Sequence, residues 1–306
     1  MVESKLIKLF IIVVSIMILY GLIFLFCMLL LKPHHFMMRK SYFKKQPYPK
    51  PYQQKIEKNI FQIWIGSKLP KKFKKLSDYL KLQNPEYMYH LYDDTDIKKF
   101  IKTHYPEYLE SYMSINSEYG PAKADFARYL LIYHYGGVYF DIKSGCNISL
   151  RNIIKPNVDV VIPEWNKIGL VIPHVDWPAQ WVIIGKSKNN LLKMLIDKML
   201  KRIKEYDNTS EVGMMGVFKL TGPLLYKDVV EDYLDNNDNH NKTQVILSPN
   251  EFIYSWLDND DMDWFTCGSL AIVGYGECKH NLNKKVKRYT NKTVPIILNS
   301  KTKKNE

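Results

Sequence analysis

Apolar positions along the chain come in two kinds that alternate. Short unbroken runs read as buried strands, and longer stretches with apolar residues every three or four positions read as helices. Ile60–Ile65 is an apolar run stopped by Gly66, and Tyr87–Tyr92 is a second. Between them Pro70–Leu82 has amphipathic helical spacing. Asp93-Asp94-Thr95-Asp96 then offers side-chain acceptors for a helix start, predicting a helix through His104. Pro121–Tyr135 is an apolar helix stopped by Gly136-Gly137, followed by the β-type run Val138-Tyr139-Phe140. Further strands are expected at Asp159–Ile162, Trp181–Ile184, Gln244–Leu247 and Leu270–Val273. Leu191–Ile203 and Leu224–Leu234 read as helices, the second entered through the turn Thr221-Gly222-Pro223. This alternation predicts an α/β fold with a mostly parallel sheet.

Leu9–Leu31 is a 23-residue run without a charge. As a helix it spans about 34 Å, enough to cross the hydrocarbon core. It lacks the short apolar core and small-residue cleavage site of a signal peptide, so a retained membrane anchor is expected. Residues 32–58, rich in Lys, Pro, Tyr and Gln, read as a stem. The chain thus divides into a short tail (1–8), an anchor (9–31), a stem (32–58), a catalytic-size body (59–280) and a basic, loosely held tail (281–306).

The net charge of +13 invites a nucleic-acid reading, but its distribution argues against one. Residues 1–58 carry ten Lys or Arg against two acids, and residues 279–306 carry nine against one. The body between them is close to neutral, and only five of the chain's bases are Arg, the residue that reads phosphates and base edges in forks. No nucleic-acid partner is expected. Membrane orientation stays open. Lys and Arg are denser after the anchor than before it, which favours a cytosolic body. Sequons at Asn147, Asn208, Asn241 and Asn291 lean towards the lumen, and a Cys267–Cys278 disulfide with Cys146 left free is compatible with that side.

The chemistry concentrates in PAKADFARYLLIYHYGGVYFDIKSGC, residues 121–146. Asp125 and Arg128 lie one helical turn apart and leave from the same face. The short strand delivers Asp141 to its carboxyl end, where open α/β sheets place ligand chemistry. Taken with the strand I-x-x-x-W-I-G and the later T-G-P, this block resembles glycosyltransferase family 32 over roughly residues 59–225. That family includes Golgi initiating mannosyltransferases and inositol-phosphoceramide mannosyltransferases. The resemblance implies a GT-A-like, Rossmann-type nucleotide-sugar-binding domain behind one transmembrane helix. It also implies a nucleotide-sugar donor (a UDP- or GDP-sugar), a divalent metal, usually manganese, and a sugar transfer that retains anomeric configuration. The acceptor class is a glycan, glycolipid or glycoprotein, and the expected location is a Golgi or ER membrane with a lumenal body.

On this reading Trp64 stacks on the nucleobase, although a core tryptophan would look the same in sequence. Asp125 and Arg128 face ribose and sugar hydroxyls, or form a mutual buried ion pair. Gly136, Gly137, Tyr139, Thr221 and Gly222 complete the donor-binding set, with Gln180-Trp181 a further candidate. His174 and Asp176 line an acceptor cleft or a surface loop. The motif's acid pair departs from the family pattern, because Asp141-Ile142-Lys143 carries a lysine where the second acid belongs. Three alternatives follow. Asp141 holds the metal with a late residue such as His280 or Asp263; Lys143 replaces the metal's charge on the diphosphate; or the chain is a non-catalytic relic that binds nucleotide-sugar or glycan.

Overall fold

The computed structural model describes residues 19–20, 53–66, 68–146, 149–165, 177–207, 209–246, 252–254 and 294–298. Of the expected anchor only Leu19 and Tyr20 are described, and no helix among the described residues is long and apolar enough to cross a membrane. The expected strand at Leu270–Val273 lies outside the described residues.

The sheet is built from β1 (Asn59–Ile63), β2 (Met88–Tyr92), β3 (Gly137–Phe140), β5 (Val160–Trp165), β6 (Trp177–Pro178), β7 (Val182–Gly185) and β8 (Thr243–Ile246). Its spatial order is β2-β1-β3-β7-β5-β6, with β8 also on β5. β1 is parallel to β2 and β3, and β5 is parallel to β8. β7 is antiparallel to both β3 and β5, and β6 is antiparallel to β5. Five of the seven strands therefore point one way, and the reversed pair β6 and β7 sits among them. A separate two-stranded ribbon joins β4 (Ser144–Cys146) to β9 (Phe252–Tyr254).

Eight helices accompany these strands among the described residues: α1 (Lys71–Gln83), α2 (Asp94–His104), α3 (Leu109–Ser114), α4 (Gly120–Tyr135), α5 (Leu150–Ile153), α6 (Asn190–Glu205), α7 (Gly213–Leu220) and α8 (Pro223–Leu234). The inner strands are apolar on both faces because each face is covered. Phe61, Ile63, Tyr139, Val160, Ile162 and Ile183 join one core with α4, α6 and α8. Ile60, Val138, Phe140, Val161, Val182 and Ile184 join a second core with Leu80 of α1 and Leu150 of α5. The change of core at every residue along each strand is the two-residue period of the pleat.

The acid cluster after β2 caps a helix. Oδ1 of Asp93 accepts from the Thr95 and Asp96 amides at 2.8 and 2.9 Å, and Asp96 Oδ2 accepts from the Asp93 amide at 3.2 Å. Asp94 is engaged by Tyr112 Oη at 2.6 Å and Lys98 Nζ at 2.6 Å. Residues 294–298 fall within the stretch expected to be a loose tail, yet they are packed. Ile297 bridges to Ile115, Ile296 is fully buried, and Tyr119 Oη donates to Val294 O at 2.7 Å.

The reversal from α4 into β3 depends on two glycines. Gly136 has φ +65° and Gly137 φ +114°, the left-handed region where a side chain is strained. A Cβ at Gly137 would also lie 2.5 Å from the Asn59 carbonyl oxygen. Gly137→Ala is therefore expected to lower unfolding free energy by about 2–4 kcal/mol through strain and clash together. Denaturant titration measures this, and a loss under about 1 kcal/mol would contradict the strain argument.

Candidate active site

The carboxyl ends of β1 and β3 and the middle of α4 converge on one point. Arg128 is its hub and is buried. Its Nη2 lies 2.7 Å from Asp125 Oδ1 and 3.2 Å from Asp141 Oδ1, and its Nη1 donates to Gln180 O at 3.0 Å. The guanidinium carbon stands 4.6 Å from the Tyr139 ring centroid, a cation–π contact, while Tyr139 Oη donates to Asp141 Oδ1 at 2.9 Å. Asp125 Oδ2 accepts from Thr221 Oγ1 at 2.9 Å. The Asp125 and Arg128 side chains are 6% and 5% exposed, whereas that of Asp141 is 22% exposed. Of these three charged groups, Asp141 alone offers itself to a ligand without rearrangement, through Oδ2, since both contacts above use Oδ1.

Main-chain bonds hold Asp141 in place. Its amide donates to Trp181 O at 2.9 Å, and its carbonyl accepts from Gln62 Nε2 at 3.1 Å. Gln62 is buried in β1, and its Oε1 takes Ser77 Oγ at 2.7 Å and Tyr89 Oη at 2.8 Å. The Ser144 amide donates to the same Asp141 carbonyl at 2.8 Å, closing a turn with Ile142 and half-buried Lys143 at its corner.

A register slip supplies the rest of the wall. Val160 pairs with Gly185 and Val161 with Ile184, but Glu164 pairs with Pro178 and Trp165 with Trp177. Three extra residues are therefore accommodated on the β6–β7 side, a bulge around 179–181. The bulge turns the Gln180 carbonyl to Arg128. It also sends Gln180 Nε2 to Tyr129 Oη at 2.6 Å and to Thr221 O at 3.1 Å. Tyr129, Gln180 and Thr221 are all buried, so they fix Asp125 and Arg128 rather than meet a ligand. Gln62 carries no motif that would have marked it in the sequence, whereas Tyr129 follows Arg128 within the motif block.

Several expected donor contacts are relocated by the geometry. Gly136 and Gly137 stand at the opposite end of β3 from Asp141, about 13 Å away at ~3.3 Å per residue, and serve the helix-to-strand reversal. Tyr139 is 1% exposed and orients Asp141 from below. Gly222 caps α8, where a Cβ would come within 2.9 Å of Phe218 Cα and Val217 O, so its role is backbone proximity. Trp64 follows β1, half-buried, with its amide donating to Tyr92 O at 2.9 Å and its ring 5.6 Å from Phe73. His174, Asp176, Asp263, Cys267, Cys278 and His280 lie outside the described residues. Cys146 is a buried free thiol, and burial pushes its pKa up to about 12.

The buried charges are two acids on one base. Burial, helped by Asp141, pushes Asp125 up to about 6 against the opposing pull of Arg128. Burial also disfavours the Arg128 charge, but Tyr139, Asp141 and Asp125 outweigh it and raise its pKa above the ordinary arginine value. For Asp125 the folded pKa exceeds the unfolded 3.8, so the folded state binds more protons between about pH 4 and 6. Stability from this group is then present below pH 4 and lost as pH rises to 6, on the order of 2–3 kcal/mol. Asp125→Asn should abolish that slope. Urea midpoints at pH 4, 5 and 6.5 test it, and parallel pH curves for both proteins would contradict it.

A DXD-type site implies a divalent metal held by paired acids. The described residues do not fit that role. Asp141 keeps one oxygen outside its contacts with Arg128 and Tyr139, the second acid is Lys143, and no cluster of three potential metal ligands occurs among the described residues.

An α/β protein with a carboxylate–guanidinium cluster at the carboxyl edge of its sheet has a fixed acceptor to offer a polar ligand. Residues 70–159 match the family model described as "Glycosyltransferase sugar-binding region containing DXD motif". Residues 70–159 are thus similar to a DXD-type glycosyltransferase region, consistent with the family 32 resemblance. It is 28% identical over 201 residues to mannosyl phosphorylinositol ceramide synthase SUR1 of Saccharomyces cerevisiae, covering 66% of this chain and 48% of the relative. It is 37% identical over 99 residues to inositol phosphoceramide mannosyltransferase 3 of Schizosaccharomyces pombe, covering 32% of this chain and 27% of the relative. The chain thus spans about half the length, or less, of these relatives. Among solved structures, PaToxG glycosyltransferase aligns with TM-score 0.44 and 20% identity, over 67% of this chain and 77% of that one.

Proposed function

We propose that the chain is a membrane-anchored, GT-A-like glycosyltransferase. It moves a hexose from a nucleotide-sugar to a glycan, glycolipid or glycoprotein acceptor, with retention of configuration. The observation that carries this is the Asp125–Arg128–Asp141 cluster at the end of β3. A sugar presents hydroxyls that need fixed acceptors, and the Asp141 carboxylate, held by a buried arginine, supplies one without reorganising. The relatives are named as mannose-transferring enzymes, which favours mannose over galactose or glucose.

Each residue has a defined task. Asp141 accepts from a hydroxyl of the donor. Arg128 and Tyr139 fix its carboxylate, while Thr221, Gln180 and Tyr129 fix Asp125. Trp64 stacks on the nucleobase beside Phe73. The sequence marks no Asp or Glu as a nucleophile on the sugar's far face. A front-side displacement therefore fits, in which the departing phosphate takes the acceptor's proton. Leu9–Leu31 would anchor the chain in a Golgi or ER membrane with the body lumenal.

A donor screen on the full chain in detergent tests this, with nucleotide release from UDP- and GDP-sugars as the readout. Release from one donor at a rate above the buffer blank is expected. Nucleotide binding without release from any donor would instead support the non-catalytic relic.

A further inference from the structure

Given the donor reading above, on which this rests, we propose that the donor's diphosphate is held by the ammonium group of Lys143 and that nucleotide binding by this chain is metal-independent. The argument starts at Asp141. Its Oδ1 already carries Tyr139 Oη at 2.9 Å and Arg128 Nη2 at 3.2 Å, so a cation is in place beside the first acid of the motif. The second acid position, two residues on, is itself a cation. A divalent ion entering here would meet one oxygen of Asp141 and two neighbouring positive residues. Hard divalent cations need several oxygen ligands, and the described residues gather no such set.

Lys143 brings the opposite charge to the second position of the motif. The Ser144 amide bond to Asp141 O at 2.8 Å closes a tight turn, so residue 143 stays at the same sheet edge as Asp141. An ammonium group offers three donors and one full charge, and lysine is a common point-charge partner of phosphate. In transfer the bond between the anomeric carbon and the phosphate oxygen breaks with its electron pair going to that oxygen. The bond from the anomeric carbon to the acceptor oxygen forms, and the acceptor's proton passes to the leaving phosphate. Lys143 stays protonated throughout and stabilises the charge that develops on the diphosphate.

The test uses the full chain in detergent, with UDP and GDP as probes and calorimetric titration in EDTA or in manganese chloride. Wild-type protein is expected to bind one nucleotide with affinities within about twofold in the two buffers. Lys143→Met should weaken that binding by about tenfold or more in both, the scale of one charged hydrogen bond. Lys143→Asp, which restores the second acid, should lose binding in EDTA and recover it in manganese. Its manganese uptake, read by electron paramagnetic resonance, should exceed that of wild type. Circular dichroism melts of both variants confirm that the turn still folds. Wild-type binding that requires manganese would overturn the proposal while leaving the donor reading intact. Normal binding by a folded Lys143→Met would do the same. No binding of either nucleotide in either buffer would overturn the donor reading and this inference with it.

Discussion

Asp141→Asn is expected to lower nucleotide release from the donor by roughly 10²–10³-fold while the protein stays folded. The two halves of that expectation come from different atoms. What holds residue 141 in place is main chain: the amide bond to Trp181 O and the carbonyl bonds from Gln62 Nε2 and the Ser144 amide. An asparagine keeps all three. What is lost is the carboxylate charge that accepts from Arg128 and Tyr139 and that, on the proposed reading, meets the donor. Because Asp141 also helps to hold the Asp125 pKa up, the variant's Asp125 should titrate lower, moving the stability slope towards acid. Release rates and thermal melts on the same preparation decide the matter. A folded Asp141→Asn within threefold of wild-type turnover would remove Asp141 from the reacting site.

Arg128→Met is expected to act on the fold instead. It keeps a long apolar stem but leaves Asp125 and Asp141 facing each other with no cation between them. Asp125 is almost fully shielded from water. Removing one partner of a buried ion pair costs about 3–5 kcal/mol. For a domain of this size that corresponds to a fall in melting temperature of roughly 10–15 °C. The double variant Arg128→Met with Asp125→Asn should recover part of the loss, because the orphaned carboxylate is gone. A single variant that melts within 2 °C of wild type, or a double variant less stable than the single, would contradict this account.

Much of this site was legible in the sequence. Asp125 and Arg128 one turn apart, a glycine pair, and an acid at the end of a short strand all obey local geometry, and local geometry survives folding. Trp64 at the end of the first strand was placed by the same logic. What was not legible depends on distant pairing. Gln180 meets Tyr129 and Thr221 only because β6 and β7 slip by three residues against β5, and alternation of side chains records no slip. The reversed direction of β7 was hidden for a related reason, since an apolar run reads the same in either sense. Gly136 and Gly137 were expected beside the donor but stand at the far end of β3, and a glycine needed for a positive φ and one needed near a ligand are identical on paper.

The packed stretch 294–298 adds an ordering in time. Pro295 O accepts from Asn116 Nδ2 at 3.1 Å, the Ile296 amide donates to Tyr206 Oη at 3.1 Å, and Ile296 lies against Gly216. These contacts brace the start of α4, the helix that carries Asp125 and Arg128. They come from the part of the described chain that leaves the ribosome last, so every described strand has been synthesised before this brace can dock. A nascent chain halted short of residue 294 would thus carry every described strand, with Asp125, Arg128 and Asp141, but lack this seam.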